Sequence, residues 1–383
     1  MNSEEFADLT ALRRALHSRP ETGFDVDGTA AELARRLRTA GLTVTEGVGG
    51  TGVVATLRRG DGEGAVGLRA DMDALPIREC NELDYRSTAA GRFHGCGHDG
   101  HSTMLLGAAR RLAQEGGFDG TVHFLFQPDE ENGRGAQAMI DDGLFDRFPM
   151  DAVFGLHNLP GLPVGNFATD TGAMTAFEEL FEIRIDGRGG HASAPERTVD
   201  PVVVAAETVL ALQGIVSRSV SPREHAVVSV TELVTDGARN IIPSSVVIRG
   251  DCRGYSDAVS ATIERRMREI VSGIAAAHGA TGQVSYARAF QPVVNTAAAV
   301  GSAAAAARRI PEAVVDDAYG RIGFSEDFAQ FLHHRPGCFI LMGNGMDGSH
   351  GASLHNPHYD FNDEALPFGV EYWVRLVREL LPA

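Results

Sequence analysis

The segment HGCGHDGH, residues 94–101, concentrates side chains that bind divalent metal ions. Three histidines, one cysteine and one aspartate fall within its eight positions, and the glycines between them let a backbone fold closely around an ion. Cys96 and His98 are two residues apart, so both can reach one metal if the loop is extended. A thiolate paired with an imidazole suits a borderline divalent ion. The alternative interpretation is a glycine-rich turn that carries surface histidines.

A pair of adjacent carboxylates, Glu130 and Glu131, follows the apolar run at residues 121–126. Adjacent side chains usually diverge, so one carboxylate can bind a metal while its neighbour takes a proton from a metal-bound water. The ion lowers the pKa of that water, which makes a carboxylate a sufficient base. A solvated acidic pair in a surface loop is the competing interpretation.

Four further candidate residues lie just after apolar runs or in a polar loop. His157 follows the apolar run at 152–156, His355 lies in a loop rich in Gly, Asn and Pro, and Asp71 and Asp73 follow the run at 65–70. A single loop histidine usually has no function, and aspartates are common in turns. The prediction of a metal site therefore rests on the whole set.

The elements that must position these residues follow an α/β pattern. Short apolar runs bounded by Gly, Asp or Pro predict strands, and apolar residues at helical spacing predict helices between them. This alternation predicts an α/β sheet with helices on both faces, and such folds place their sites just past the strand ends. The predicted helices are 4–16, 29–39 and 102–114, and the predicted strands are 51–57, 65–70, 121–126 and 152–156.

A different pattern begins near Phe177 and predicts an inserted domain. Its order is β-α-β-β-α-β, which is typical of a ferredoxin-like fold. An Ala-rich helix predicted at 296–309 then marks the return of the chain to the α/β pattern of its first part. We predict a catalytic domain formed by residues 1–175 and 292–383, with the inserted satellite domain at 176–291. The predicted strands of the insert are 181–185, 226–233, 246–251 and 283–289, and its helices are 201–220 and 257–278.

The composition of the 383 residues excludes several classes of protein. The hydrophobic fraction of 43% and the charged fraction of 22% are typical of globular domains. A formal charge of −17 opposes binding to nucleic acid or to an anionic membrane. The four separated cysteines predict no disulfide framework, and the acidic stretch MNSEEFADLT does not look like a secretion signal. We therefore expect a cytoplasmic protein.

Taken together, the motifs resemble those of the M20 metallopeptidase family, and in particular its amidohydrolase branch. That branch includes hippurate hydrolases, aminoacylases, N-acetyl-diaminopimelate deacetylases and plant auxin-conjugate hydrolases. The resemblance spans the chain and is carried by RADMDALPI at 69–77, HGCGHDGH at 94–101, FQPDEE at 126–131, GLHN at 155–158, GRGGHASAP at 187–195 and SLHNPHYDFND at 353–363. It implies a zinc-peptidase-like α/β catalytic domain with the inserted satellite domain.

The resemblance also implies roles for individual residues. Glu130 would be the general base and then the acid, and Asp73 would orient the ligands. Two divalent ions per subunit are implied, of which Zn, Mn, Co and Ni all remain possible. Since a neutral imidazole has a single free lone pair, the thiolate of Cys96 is the better bridge between two ions. The implied metal ligands are Cys96, His98, Glu131, His157 and His355.

The resemblance places substrate-binding residues in the satellite domain. His191 would reach the active site of a partner subunit in a homodimer formed through that domain. Asn240 and Arg253 would hold the substrate carboxylate, because an arginine can bind a carboxylate at two points.

Several positions depart from the family pattern. Asp71 stands where other M20 branches place a metal-binding histidine. Asp129 replaces a small residue and would raise the pKa of Glu130 if it points inward. Glu196 replaces a common histidine, and Phe324 stands in place of a glycine, where it would alter the acyl pocket. The following Ser325 and Glu326 are expected to cap a helix.

The expected activity is hydrolysis of the amide bond of N-acyl amino acids by a metal-activated water. Cleavage of dipeptides or of N-carbamoyl amino acids on the same scaffold remains an alternative. A more remote alternative is a protein that binds metal without catalysing a reaction.

Overall fold

A computed structural model of the chain describes every residue from Met1 to Ala383. The chain forms two compact units. The first comprises Met1–Met174, Val293–Gly320 and Glu326–Ala383, and the second comprises Thr175–Pro292 and Arg321–Ser325. At residues 321–325 the chain returns briefly to the second unit, which the predicted domain boundaries near 175 and 291 did not include.

The first unit alternates helices and strands. Its amino-terminal part contains five helices and seven strands: α1 (Ser3–His17), α2 (Asp27–Thr39), β1 (Thr43–Val48), β2 (Gly52–Arg59), β3 (Ala65–Asp71), α3 (His98–Glu115), β4 (Gly120–Gln127), α4 (Gly135–Asp141), α5 (Leu144–Arg147), β5 (Ala152–Pro160), β6 (Asn166–Ala168) and β7 (Gly172–Ala173).

The second unit follows the predicted β-α-β-β-α-β order, with two short strands added. Its elements are β8 (Phe177–Asp186), β9 (Gly190–His191), α6 (Pro201–Arg218), β10 (Ala226–Thr235), β11 (Ile241–Ile242), β12 (Ser245–Gly254), α7 (Asp257–Ala277) and β13 (Thr281–Phe290).

The carboxyl-terminal part returns to the first unit. It contributes β14 (Val294–Asn295), α8 (Ala297–Arg308), β15 (Val314–Asp316), α9 (Ala329–Leu332), β16 (Gly337–Gly345), α10 (Gly348–Gly351) and α11 (Leu366–Leu380). Single turns of 3₁₀-helix lie at Pro195–Arg197 and Asp363–Ala365.

The main sheet of the first unit has eight strands in the order β1-β2-β4-β3-β5-β16-β6-β15. Its centre is parallel, because β3 pairs in parallel with β4 and β5, and β5 pairs in parallel with β16. Parallel strands end at one edge, so β3, β4 and β5 deliver their last residues to the same place. In that register Asp71 lies opposite Gln127 and Arg69 lies opposite both Leu125 and Gly155.

Alternation along β3 separates an apolar face from a polar one. Val66, Leu68 and Ala70 join the main core, which is built with residues of α1, α2, α3, α8 and α11. Arg69 and Asp71 point to the other face and are also fully buried. A buried arginine requires carboxylate partners there, which predicts a charged layer beneath the strand ends.

The second unit has its own sheet and core. The strand order β10-β12-β8-β13 is antiparallel throughout, as expected for a ferredoxin-like fold. Alternate residues of β8 are buried with the inner faces of α6 and α7. The predicted fold class, an α/β domain with an inserted ferredoxin-like domain, is confirmed.

Helix α6 has the length and apolar composition that a membrane crossing would need, with a mean hydropathy of 1.3 over 18 residues. Core helices of soluble domains meet the same criterion. Val204, Leu212 and Ile215 of α6 are buried in the core of the second unit. The composition of this one helix is therefore weak evidence for a membrane span.

Candidate metal and catalytic site

The first unit gathers most of the predicted site residues at the ends of its parallel strands. Several sets of three donor atoms lie within 4.8 Å of one another, and they include all five predicted metal ligands. Two of these sets share the thiol of Cys96: one adds His98 and His157, and the other adds Glu131 and His355.

The turn between Cys96 and His98 is tighter than the extended loop that we predicted. Helix α3 already begins at His98, and Gly97 before it has a φ of +89°. A Cβ atom at this position would lie 2.4 Å from Oδ1 of Asn158 and 2.5 Å from the hydroxyl of Tyr359, so only glycine fits. The left-handed turn nevertheless leaves the thiol and the imidazole within reach of one ion.

His157 lies within β5 and does not follow the strand, contrary to the sequence prediction. Its Nδ1 donates to the backbone oxygen of Asn158 at 2.7 Å, and its Nε2 lies 3.4 Å from the sulfur of Cys96. The Nδ1 bond fixes the tautomer that leaves a lone pair on Nε2. Burial lowers the pKa of His157 well below its ordinary value, so the ring is neutral, as a metal ligand must be.

His98 is surrounded by carboxylates. Its Nδ1 lies 3.5 Å from Asp73 and 3.8 Å from Asp71, and its Nε2 lies 3.8 Å from Glu131. Burial alone would lower the pKa of His98, but Asp71, Asp73 and Glu131 raise it to about 10. This pocket therefore favours a positive charge.

The donor set fits a divalent cation. Both ring nitrogens of His98 and Oε1 of Glu131 are buried without a hydrogen-bond partner, which a native core rarely tolerates. Burial and then Glu131 and Glu130 raise the pKa of the Cys96 thiol well above its ordinary value. A cation would balance the carboxylates and let that thiol ionise. His355, held at a φ of +65°, places Nε2 at 3.4 Å from Oε2 of Glu131.

Asp73 holds the two glutamates in place. One of its carboxylate oxygens accepts the backbone N–H of Glu130 at 3.1 Å, and the other accepts that of Glu131 at 3.2 Å. The same carboxylate also lies beside His98. Asp73 is therefore in a position to align both glutamates, and its orienting role stays a prediction.

Glu130 is buried, and its carboxylate is poorly compensated. Burial, followed by Glu326, Glu131 and Asp327, raises its pKa well above the ordinary value, with Arg69 acting in the opposite direction. A carboxylate with a raised pKa binds a proton more readily, as a general base that later acts as an acid requires.

Asp129 does not act on Glu130 in the way predicted. Its buried carboxylate is turned toward Asn132 and Arg134, and it binds Nε of Arg134 at 2.8 Å. The raised pKa of Glu130 comes instead from burial and from Glu326, Glu131 and Asp327. Asp129 has a positive φ of 51°, and its carboxylate is paired with Arg134.

Sequence reasoning missed Arg69, the buried arginine beneath the strand ends. Its guanidinium binds Asp71 at 2.8 Å, Glu326 at 2.9 Å and Asp327 at 3.2 Å. Glu326 is not the N-cap of α9, because Phe328 occupies that position, but Oε1 of Glu326 accepts the backbone N–H of Phe328 at 3.0 Å. The sequence did contain a signal for Arg69, because charged residues alternate with apolar ones in RADMDALPI.

His101 was also passed over, although it belongs to HGCGHDGH. Its Nδ1 lies 2.6 Å from Asp71, and its Nε2 lies 2.7 Å from Oδ1 and 3.0 Å from the backbone nitrogen of Asn158. Asp71 therefore joins Arg69 to His101 and lies 3.8 Å from His98. Together these contacts form a buried polar layer under the donor sets.

A second ionic network ties α1 to the start of α3. Nη1 of Arg13 lies 3.5 Å from Asp99 and 3.2 Å from Asp360, and Nδ1 of His17 lies 2.9 Å from Asp99. Asp99 follows His98, and Asp360 lies in the loop that follows His355. The network therefore links the two segments that carry predicted ligands.

Replacement of His17 by glutamine is expected to destabilise the protein in a pH-dependent way. Burial alone would lower the pKa of His17, but Asp99 and Glu79 raise it from 6.5 to about 9. Because folding raises this pKa, the protonated ring of His17 stabilises the fold by about 3 kcal/mol at pH values below 6.5. This contribution is lost as the pH rises through 9. Urea unfolding of both proteins at pH 6 and pH 9.5 measures it, with His278→Gln, at an exposed ion pair, as the control. An equal deficit at both pH values would contradict this assignment.

The predicted substrate-binding residues lie in the second unit. His191 is exposed on β9, which pairs with β11, and the backbone oxygen of Asn240 accepts the N–H of Ala192. The guanidinium of Arg253 already binds Asp251 at 2.8 Å, Glu178 at 3.1 Å and Ser325 at 2.8 Å. A substrate carboxylate would have to displace one of these partners.

The remaining departures from the family pattern also lie in the second unit. Glu196 is exposed beside Arg197 in a 3₁₀ turn. Phe324 is half-buried, and its backbone oxygen accepts the N–H of Ala176. Ser325 caps no helix, since its hydroxyl donates to the backbone oxygen of Ala176 at 2.9 Å.

The chain is similar to known proteins over most of its length. The family described as Peptidase family M20/M25/M40 matches residues 67–379. The chain belongs to the M20 peptidase family. It is 38% identical over 375 residues to a hippurate hydrolase of Campylobacter jejuni, covering 98% of this chain and 97% of that protein. It is 37% identical to an N-acetyl-L-cysteine deacetylase of Bacillus subtilis, covering 94% and 84%.

A solved structure supports the assignment of this M20 member. The Bacillus subtilis YXEP protein, described as a dinuclear metal binding peptidase of the M20 family, superposes with a TM-score of 0.85. The two chains are 31% identical, and the match covers 98% of each. The present protein is therefore a hydrolytic enzyme of the amidohydrolase type within that family.

Proposed function

We propose that this M20 enzyme hydrolyses the amide bond of N-acyl amino acids, such as N-acetyl or N-benzoyl derivatives, to a carboxylate and a free amino acid. The observation that carries the proposal is the pair of donor sets that share Cys96 and lie beside the buried Glu130. The hippurate hydrolase and N-acetylcysteine deacetylase relatives support the substrate class.

Two divalent ions, of Zn, Mn, Co or Ni, would be held by the shared donor sets. Cys96 would bridge them, because its sulfur is the atom common to both sets. Similarity to the YXEP protein, a dinuclear metal binding peptidase, supports the number of ions. When bound, such ions acidify water and polarise an amide carbonyl. The proposed ligands are Cys96, His98, Glu131, His157 and His355.

The residues of the chain would divide the proton transfers and the positioning between them. Glu130 accepts a proton on its carboxylate and later donates it to the leaving amine, for which its raised pKa suits it. Asp73 keeps Glu130 and Glu131 aligned through their backbone N–H groups. His191 of a partner subunit would donate a hydrogen bond to the developing oxyanion. Asn240 and Arg253 remain the proposed contacts of the substrate carboxylate.

We propose a homodimer formed through the second unit, with the cytoplasm as its compartment. Strand β10 is an edge strand and carries Leu233, which is 57% exposed, while Leu210 on α6 is 74% exposed. Apolar side chains at an unpaired sheet edge favour association with another chain. Sedimentation of the purified enzyme at micromolar concentration tests this, and a monomer would contradict it.

A substrate screen tests the proposed activity. The apo enzyme is reloaded with Zn, Mn, Co or Ni, and amine release is measured from N-acetyl, N-benzoyl and N-carbamoyl amino acids and from dipeptides. We expect turnover of N-acyl amino acids that a chelator abolishes. Preference for dipeptides or N-carbamoyl substrates would instead support the corresponding alternative, and metal binding without any amide hydrolysis would indicate a non-catalytic protein.

Replacement of Cys96 by serine is expected to weaken binding of both metals. A cobalt-loaded wild-type enzyme should contain two ions per chain and show a thiolate-to-cobalt charge-transfer absorption. The variant should lose that absorption and fall below two ions, because serine offers no soft thiolate. Cys80, which is exposed, provides the matched control Cys80→Ser. Absorption that persists in Cys96→Ser would show that Cys96 is not a ligand.

A further inference from the structure

A cavity of about 640 Å³ in the first unit adjoins the donor sets. Glu131 and His355 form part of its wall, so a substrate whose amide lies at the proposed metals would extend one end into it. Its apolar lining comes from Phe24, Leu75 and Pro76. The positively charged side chain in the lining is Arg134, three residues after Glu131.

The guanidinium of Arg134 is held by two contacts that leave its outer edge free. Its Nε binds Asp129 at 2.8 Å, and its carbon Cζ lies 5.5 Å from the centre of the Phe24 ring. Asp129 is itself fixed, because it is fully buried and its backbone N–H binds the backbone oxygen of Gly23 at 3.1 Å. Arg134 is therefore oriented before any ligand arrives.

The two Nη groups of Arg134 have no partner within the protein. The side chain is 64% exposed, and its only ionic partner is Asp129, through Nε. Two parallel N–H groups on one planar edge match the two oxygens of a carboxylate. The other carboxylates of the lining are Glu131, whose charge a bound cation would offset, and Asp25, which is exposed and so screened by solvent.

Arg253 offers no such free edge. Its Nε and Nη2 bind Asp251, Nη2 also contacts Glu178, and Nη1 binds Ser325. Capture of a carboxylate by Arg253 would break existing ion pairs, whereas capture by Arg134 would break none.

We propose that Arg134, oriented by Asp129 and Phe24, binds a carboxylate of the substrate in this cavity and selects for anionic substrates. This inference rests on the proposed function for the identity of the substrate. The carboxylate is either that of the amino acid, in which case Arg134 would replace Arg253 as its contact, or one at the far end of a dicarboxylic acyl group.

Three matched probes distinguish these two sources. N-acetyl-L-methionine carries its carboxylate on the amino-acid side, N-succinyl-L-methionine amide carries it on the acyl side, and N-acetyl-L-methionine amide carries none. Their binding to the metal-loaded enzyme is measured by calorimetry, and kcat and KM are measured wherever hydrolysis occurs. The proteins compared are wild type, Arg134→Gln, Arg134→Lys and the control Arg147→Gln, which removes another arginine paired with an aspartate outside the cavity lining.

For one of the two anionic probes, Arg134→Gln is expected to weaken binding and raise KM about ten- to a hundredfold. Arg134→Lys should recover part of the loss, and the uncharged probe should change by less than about twofold. The probe that loses affinity identifies the position of the carboxylate. Equal losses for charged and uncharged probes, or unchanged binding of both anionic probes, would overturn the proposal. Wild-type enzyme that binds an anionic probe through Arg134 without cleaving it would contradict the proposed activity and leave this inference standing.

Discussion

Glu130→Gln is expected to reduce kcat by about 10²- to 10⁴-fold while the enzyme keeps its metals. Glutamine preserves the shape of the side chain but can neither accept a proton from water nor return it to the leaving amine. The backbone N–H of residue 130 would still bind Asp73, so the alignment of Glu131 should survive. Steady-state amine release and metal analysis of the same preparation measure the two effects.

The same variant should be no less stable than wild type. Burial and the nearby Glu326, Glu131 and Asp327 raise the pKa of Glu130, which means that its charged form is disfavoured in the fold. A neutral side chain removes that penalty at pH 8, so the thermal midpoint should not fall.

Glu131→Gln provides the contrast for Glu130→Gln. Glu131 contributes to the set with Cys96 and His355, so its loss should lower metal content as well as turnover. Wild-type turnover in Glu130→Gln, or equal metal loss in both variants, would refute the separation of base from ligand.

The sequence predicted the fold well because its signals are local. The β-α-β-β-α-β order of the insert and the helical spacing of α1 and α2 can be read from a few neighbouring residues. Strand β1 escaped notice because Thr43–Val48 is a partly exposed edge without a continuous apolar run. The buried strand β16 was also not among the predicted strands. The helix start at His98 was missed because the residue before it, Gly97, adopts a left-handed conformation, which the spacing of apolar residues does not reveal.

The candidate site was predictable only as a set of donors. The five predicted ligands come from four separate segments of the chain, and the resemblance of their motifs to a family indicated that they form one site. They are Cys96, His98, Glu131, His157 and His355. The charged layer beneath them was not predictable, because two of the carboxylates that bind Arg69, those of Glu326 and Asp327, lie 257 and 258 residues away along the chain. The orientation of Asp129 depends likewise on Arg134, which the sequence patterns did not mark.

Arg69→Met is expected to destabilise the protein by about 3–5 kcal/mol, because it leaves buried carboxylates without their counter-charge. Asp71, Glu326 and Asp327 all contact this one guanidinium. Burial and Glu326 already raise the pKa of Asp327 to about 8, and loss of Arg69 would raise it further. Carboxylates with raised pKa values destabilise the fold most at high pH, and protonation relieves the penalty as the pH falls.

Urea unfolding at pH 6 and pH 8.5 therefore tests both the size and the origin of the effect. The deficit of Arg69→Met should be smaller at pH 6, which simple loss of packing would not produce. Arg308→Met is the matched control, since Arg308 binds Asp317 at 2.8 Å with its side chain 51% exposed. An exposed pair contributes about 0–1 kcal/mol, because water already solvates both charges. If the two variants lose similar stability, or if the deficit of Arg69→Met does not change with pH, the carboxylates beneath the strand ends do not depend on Arg69 for their charge balance.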